Sequence, residues 1–162
     1  MSDASALSGG CQCGAIRYRF SARPGDVSLC HCRMCQKATG GLFGAFAGGP
    51  IDTFALTRGA LAIFRSSAEV ERGFCPQCGT PLTFSRVGGA HISVTVGSLD
   101  QPADFAPTEQ TCPDGRLPYT FALHEVPDLP PIEDVAPELA AAIAATNHQH
   151  PDHDTAEWPP RN

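Results

Sequence analysis

The sequence has no run of Lys and Arg, and its 162 residues carry a formal net charge of −6. Nucleic-acid binding has no electrostatic footprint in such a chain. No apolar stretch approaches the ~20 residues needed to span a bilayer. The opening residues, "MSDASALSGG", lack a basic region followed by an apolar one, so no signal peptide is expected and a cytoplasmic location is. Aromatics are scarce at 7%, whereas Gly (16) and Pro (15) are plentiful. With the longest apolar runs short, that mixture favours short strands and turns over long helices. The chain is 42% hydrophobic, which lets one domain of this length fold without disulfide staples.

What the sequence does have is cysteine. Eight in a chain of this size need an explanation. A secreted disulfide scaffold would be shorter and denser in Cys, so closely paired cysteines in a reducing compartment point to metal.

Strand candidates are "AIRYRF" (15–20), "VSLC" (27–30), "LFGAFA" (42–47), "ALAIFRS" (60–66), "PLTFSRV" (81–87) and "HISVTVG" (91–97). The last has the clearest alternation, with Ile92, Val94 and Val96 on one face. No strand alternates regularly with a long helix, which argues against a parallel βαβ sheet and for a mainly β fold. Residues 1–8 read as a loose start. After Pro131, "IEDVAPELAAAIAATN" suits one short amphipathic helix, and "HQHPDHDTAEWPPRN" has no periodicity and is expected to be disordered.

The first cysteine pair is "GGCQCGA" and the second is "FCPQCGTPL". Side chains two apart on a straight strand lie roughly 6.5–7 Å apart. Zinc–sulfur bonds of ~2.3 Å need the sulfurs closer, so the backbone at Cys11 and Cys13 must bend. Gly9, Gly10 and Gly14 supply that freedom. Cys75 and Cys78 have the two-residue gap of a zinc knuckle, with Gly79 free to turn left-handed. Together Cys11, Cys13, Cys75 and Cys78 complete a closed structural zinc site. The alternative reading is free or disulfide cysteines, although "CQC" is a strained disulfide.

A third cluster, "CHCRMCQK", brings Cys30, Cys32 and Cys35 together without an obvious fourth ligand. Three thiolates can cap one face of zinc, and an open fourth position is the mark of a working site. His31, squeezed between two ligands, would point away, and Cys112 stands alone in the turn-like "QTCPDG". The leading reading is an open position. Three thiolates and Zn²⁺ sum to −1, which damps Lewis acidity and suits a substrate thiol better than hydrolytic water. Arg33 and Lys37 sit beside the cluster, either offsetting its charge, meeting a substrate carboxylate, or simply solvated. His91 reads as a strand-edge residue. His148, His150 and His153 belong to the tail. Glu69, Glu71 and Glu109 read as solvated charges, and "GGLFGAFAGGP" lacks the Lys-Ser/Thr of a phosphate loop.

At these elements the chain resembles the glutathione-dependent formaldehyde-activating (GFA) family. The matching pieces are "GGCQCGAIRYRF", "CHCRMCQKATGG", "GALAIFRSS", "RGFCPQCGTPLTF" and "VGSLDQPADFAPT". They come in the family's order and cover residues 9–131. The resemblance implies a GFA-like zinc-binding domain at 9–131, with the helix and tail at 132–162. It implies a mainly β, Mss4-like fold of short antiparallel strands organised around zinc. It also implies two zinc ions per chain, a structural one at Cys11, Cys13, Cys75 and Cys78 and a second at Cys30, Cys32 and Cys35. The family's namesake activity is a carbon–sulfur lyase type of chemistry that joins formaldehyde to glutathione as S-(hydroxymethyl)glutathione. The implied partners are a small thiol such as glutathione and an aldehyde, with no nucleic acid and no membrane. Gln110 and Tyr119 stand where the family usually has His and Trp. The rival readings are a non-enzymatic zinc-stabilised binding module and a thiol or metal sensor. No proton-transfer residue is identified by the sequence.

Overall fold

The computed structural model describes residues 7–158. Ten strands form two sheets among these residues. A three-stranded sheet runs in the order β1 (Leu7–Gly10), β2 (Arg17–Phe20), β5 (Phe54–Arg58). The larger sheet combines β10 (Glu109–Thr111), β3 (Val27–Cys30), β4 (Gly44–Pro50), β9 (His91–Thr95), β8 (Pro81–Arg86), β7 (Val70–Phe74) and β6 (Ala62–Arg65), in that order. Every pairing is antiparallel except β10 on β3. The mainly β expectation holds. The six expected strands all form, and β1, β5, β7 and β10 are additional. Of the loose start, residues 1–6 lie outside the described residues, while Leu7 and Ser8 already pair with Phe20 and Arg19.

Period-two alternation builds the core. Ile92 and Val94 of β9 are buried while their neighbours are not, as a one-faced strand requires. Tyr18 and Phe20 of β2 point inward with no exposed surface, beside Ile16, Leu82, Val94 and Cys75. Each such large apolar side chain contributes about 1.5–3 kcal/mol on full burial. Phe54 of β5 packs edge-on to Phe20, ring centres 5.2 Å apart, and ties the small sheet together.

Three helices interrupt this pattern. Helix α1 (Arg33–Thr39) follows β3 directly. The single helix expected after Pro131 is split into α2 (Ile132–Val135) and α3 (Pro137–Thr146). Pro137 has no N–H to give and suits the first position of a new helix better than the interior of an old one.

A buried ion pair locks the two ends of the fold. Arg17, 3% exposed, donates from Nη1 to Asp100 Oδ1 at 2.7 Å and from Nη2 to Oδ2 at 2.5 Å. Ser8 Oγ adds a 2.6 Å bond to the same carboxylate. Burial alone would raise the Asp100 pKa, but Arg17 and Ser8 hold it below the ordinary carboxylate value. Arg17 Nε also reaches Asp154 Oδ1 at 2.8 Å.

That last bond corrects the expectation of a loose tail, since His150, Asp154, Thr155 and Trp158 are held on the fold; residues 159–162 of the expected tail lie outside the described residues. His150, 3% exposed, donates its backbone N–H to Gln12 O at 2.7 Å. Trp158 Nε1 donates to Cys13 O at 2.6 Å, and its ring packs against the core. Arg58 reaches back to the Gly14 carbonyl, His150 Nε2 and the Thr155 carbonyl. The contacts come from single side chains at irregular spacing, so no periodic pattern betrays them.

Two outcomes follow. Asp100→Asn should destabilise the protein by about 2–3 kcal/mol, since it leaves the buried Arg17 charge with only the exposed Asp154 carboxylate to offset it. Because the folded-state pKa of Asp100 is depressed, its contribution is complete above the unfolded value of about 3.9 and is lost as the pH falls through the lower folded value. Urea unfolding of both proteins across pH 3–7 reads this directly. Truncation after Thr146 should cost about 2–3 kcal/mol, seen as a melting temperature roughly 5–10 °C lower. An unchanged melt would mean that the tail contacts are energetically idle.

Candidate metal centres

The first centre is assembled by two turns. Cys11 and Cys13 follow β1, where the chain reverses with Gly14 N–H bonded to Cys11 O at 3.0 Å. Gly14 takes a left-handed φ of 76°, and the His150 ring fills the space a Cβ would occupy. Cys75 and Cys78 lie between β7 and β8, closed by Gly79 N–H on Cys75 O at 2.9 Å, with Gly79 at φ 78°. Both turns therefore need glycine, as the sequence pattern suggested.

The four sulfurs lie within 4.8 Å of one another. Cys11 and Cys13 are 3.6 Å apart, and Cys13 and Cys75 are 3.9 Å apart. A tetrahedron with zinc–sulfur bonds of ~2.3 Å has edges of about 3.8 Å, so the two shortest spacings match it and the whole set is compact enough for a zinc-sized ion. Backbone N–H groups already point at sulfur: Ile16 N to Cys11 at 3.2 Å and Gln77 N to Cys75 at 3.4 Å. Burial pushes the Cys11 thiol up to about 12. Burial acts the same way on Cys78, but the Thr80 hydroxyl, 3.1 Å away, and nearby backbone N–H groups outweigh it and bring that thiol down to about 6. Free thiols in such a buried group resist ionising together, and a divalent cation removes that conflict.

The second centre is built around the start of α1. Cys30 ends β3, and Cys32 caps the helix, its Sγ accepting from Cys35 N at 3.3 Å. Gly40, at φ 69°, ends the helix. Cys35 is buried and Cys30 and Cys32 are half-buried, and burial, helped by the two neighbouring thiols, raises the pKa of Cys35. A further thiol joins them: Cys30, Cys32 and Cys112 have their sulfurs within 4.8 Å of one another. Cys112 had stood in the sequence as an isolated residue. It arrives because β10 pairs in parallel with β3, placing Thr111 opposite Cys30.

His31 turns away from the sulfurs, as its position between two cysteines suggested. It is buried, shares a 2.8 Å hydrogen bond with Gln110 Oε1, and packs edge-on to Phe43. His91 is exposed at the start of β9.

Sequence reasoning missed Arg72. It is 8% exposed, on β7, and donates from Nη2 to Cys35 Sγ at 3.4 Å while its guanidinium lies over the Phe84 ring at 5.1 Å. It forms no ion pair with a carboxylate among the described residues. A buried cation beside thiols, rather than beside an acid, suits a cluster that carries negative charge. Burial drives Cys35 up to about 12 although Arg72 opposes it. Cys30 is also raised by burial, but its hydrogen bonds to Thr111 and to the neighbouring cysteines bring it down to about 7.

A cavity of about 520 Å³ is lined by residues of α1, β4 and β6–β9, with none of the eight cysteines in its lining. Met34, Lys37 and Thr39 of α1 wall one side, and Arg72, Phe74 and Gly79 the other. Phe46 and Phe64 make much of its surface apolar. No helix among the described residues is long and apolar enough to cross a membrane.

Comparison with known proteins bears on the fold and the family. A crystal structure of a Rhodobacter sphaeroides protein superposes with a TM-score of 0.51 at 22% identity, covering 64% of this chain and 99% of that one, which establishes similarity of fold. A Halomonas elongata protein named "Putative glutathione-dependent formaldehyde-activating enzyme" is 36% identical over 87 residues. That match covers 47% of this chain and 54% of the relative, so the chain spans about half the length of the curated relative it matches. The family model described as "Glutathione-dependent formaldehyde-activating enzyme" matches residues 6–112, a span that contains all eight cysteines. By that match over more than half of its length, the chain belongs to the GFA family.

Proposed function

We propose that the protein is a zinc-dependent enzyme of the carbon–sulfur lyase type, acting in the cytoplasm on the adduct of a small thiol with an aldehyde. The reading includes glutathione and formaldehyde as the pair that the family name describes. Cys11, Cys13, Cys75 and Cys78 would hold a structural zinc, and Cys30, Cys32 and Cys35 a second, working zinc. The observation that carries the reading is the cavity: its wall is the helix that bears Cys35, and its buried cation, Arg72, touches the Cys35 sulfur.

The reaction is an addition. A C–S bond forms between the thiol sulfur and the aldehyde carbon while the carbonyl π bond opens, and the thiol proton ends on the new hydroxyl oxygen. The reverse breaks the C–S bond and returns thiol and aldehyde. A thiophilic zinc supplies thiol acidification at neutral pH. The remaining work falls to the chain. Arg72 holds Cys35 and offsets part of the negative charge of the thiolates. Lys37, the only lysine in the sequence, stands on the cavity wall where it can receive a carboxylate of a peptide-like thiol. Phe46, Phe64 and Phe74 give the rest of the cavity an apolar lining against which the carbon skeleton of a substrate can pack.

The test separates the two centres. The first joins segments 62 residues apart between Cys13 and Cys75, so metal binding there is folding energy. Cys75→Ser should unfold or aggregate. The second centre takes Cys30, Cys32 and Cys35 from one short stretch, and the segment bearing Cys112 is already held there by the pairing of β10 with β3, so metal binding closes almost no further loop. Cys32→Ser also keeps a good helix cap, since serine is preferred at that position. It should remain folded by circular dichroism, retain one zinc, and lose glutathione-dependent consumption of formaldehyde. A Cys32→Ser protein that collapses as badly as Cys75→Ser would mark the second centre as structural and remove the main support for an enzyme.

A further inference from the structure

We propose that Cys112 is the fourth thiol of the second metal centre, and that its exposed position makes it the ligand an incoming thiol replaces. The inference rests on the reading of that centre as a metal site.

Distance is the first argument. Cys112 Sγ lies 4.0 Å from Cys30 Sγ, and the sulfurs of Cys30, Cys32 and Cys112 are within 4.8 Å of one another. These spacings match those in the first centre, where 3.6 and 3.9 Å separate neighbouring sulfurs. They approach the ~3.8 Å edge of a zinc–thiolate tetrahedron. Cys35 is buried, Cys30 and Cys32 are half-buried and Cys112 is exposed, so the four cysteines run from a buried floor to an exposed roof.

The segment that carries Cys112 is fastened to the centre at several independent points. Thr111 O accepts from His31 N at 3.1 Å. Gln36 Nε2, from the buried face of α1, donates to both His31 O at 3.0 Å and Gly115 O at 2.9 Å. Gln110 Oε1 takes hydrogen bonds from both sides, with His31 Nε2 at 2.8 Å and Arg116 Nη2 at 2.9 Å. Gly115 lies so close to the His31 carbonyl that a Cβ there would clash. Cys112 itself sits at φ 54°, the only non-glycine residue at positive φ among those described. A side chain disfavours that conformation, and here it places a sulfur beside two others.

The consequence concerns charge and access. Four thiolates with one Zn²⁺ sum to −2, against −1 for three. A fifth sulfur would add to that charge, so a small thiol reaches the centre by taking a place already filled. Cys112 is the exposed cysteine of the set, and β10, which carries it, is three residues long with every residue exposed. In the exchange one metal–sulfur contact would replace another, the proton of the incoming thiol would pass to the Cys112 sulfur, and no electrons would change hands.

Cobalt(II) loading of the full chain, under reducing anaerobic conditions, tests this without relying on turnover. The wild type should take two cobalt ions, both with tetrahedral four-thiolate spectra. Cys112→Ala should also take two, with sulfur-to-cobalt charge-transfer intensity lower by roughly one eighth, since seven of eight cobalt–sulfur bonds remain. The second ion should be lost to a competing chelator at least ~10-fold more readily than in the wild type. Added 2-mercaptoethanol should restore the missing intensity in Cys112→Ala at lower thiol concentration than it perturbs the wild type. Near-UV circular dichroism verifies that the variant is folded. Identical spectra and chelator sensitivity in the two proteins would overturn the role of Cys112 while leaving the metal centre intact. A wild type that takes only one cobalt would overturn both.

Discussion

The joining of Cys11 and Cys13 to Cys75 and Cys78 is the constraint on which the other features depend. It ties the turn after β1, in the small sheet, to the turn between β7 and β8, in the large one. Everything near it is arranged to accept that tie. Gly14 and Gly79 give the turns their left-handed residues, Ile16 and Gln77 direct N–H groups at sulfur, and Tyr18 and Leu82 close the core behind. The cavity that could hold a substrate has Gly79 of this centre on one wall and Lys37 beyond Cys35 on the other. A change in how β7 and β8 are held would therefore move the substrate wall as well as the fold.

Around this tie the protein places three layers of charge control. The Arg17–Asp100 pair is buried and bidentate, and fastens β2 to the segment after β9. Arg72 sets a cation against Cys35. Arg58 gathers the tail onto the turn at Gly14. Each guanidinium meets several acceptors in one plane, a task to which lysine is poorly suited. This explains how a chain with one lysine organises so many buried polar contacts.

Much of this was legible in the sequence, and the exceptions share a cause. Cysteine spacing pointed to both clusters, because metal geometry restricts which gaps work: the four thiols of the first do stand within 4.8 Å of one another, whereas in the second it is Cys112 that stands so with Cys30 and Cys32. Alternation in "HISVTVG" identified β9, because one face of it is buried. Helix α1 escaped notice because seven residues show little periodicity, although Cys32 as cap and Gly40 as stop bound it. Strand β10 is three exposed residues held by backbone pairing, so its side chains carry no signal. Cys112, Arg72, Asp100 and Trp158 act through partners far away in the chain, among them Cys30, Cys35, Arg17 and Cys13 at separations of 82, 37, 83 and 145 residues. Long-range single contacts of that kind leave no local pattern, and only folding brings the partners together.

The most direct measurement is the thermal unfolding of the wild-type protein before and after complete removal of metal by a chelator under reducing conditions. If the four-cysteine tie organises the fold, the metal-free protein loses its cooperative transition and its near-ultraviolet circular dichroism, and both return on adding zinc. A metal-free protein that melts cooperatively at the same temperature as the loaded one would contradict the central place given to that tie.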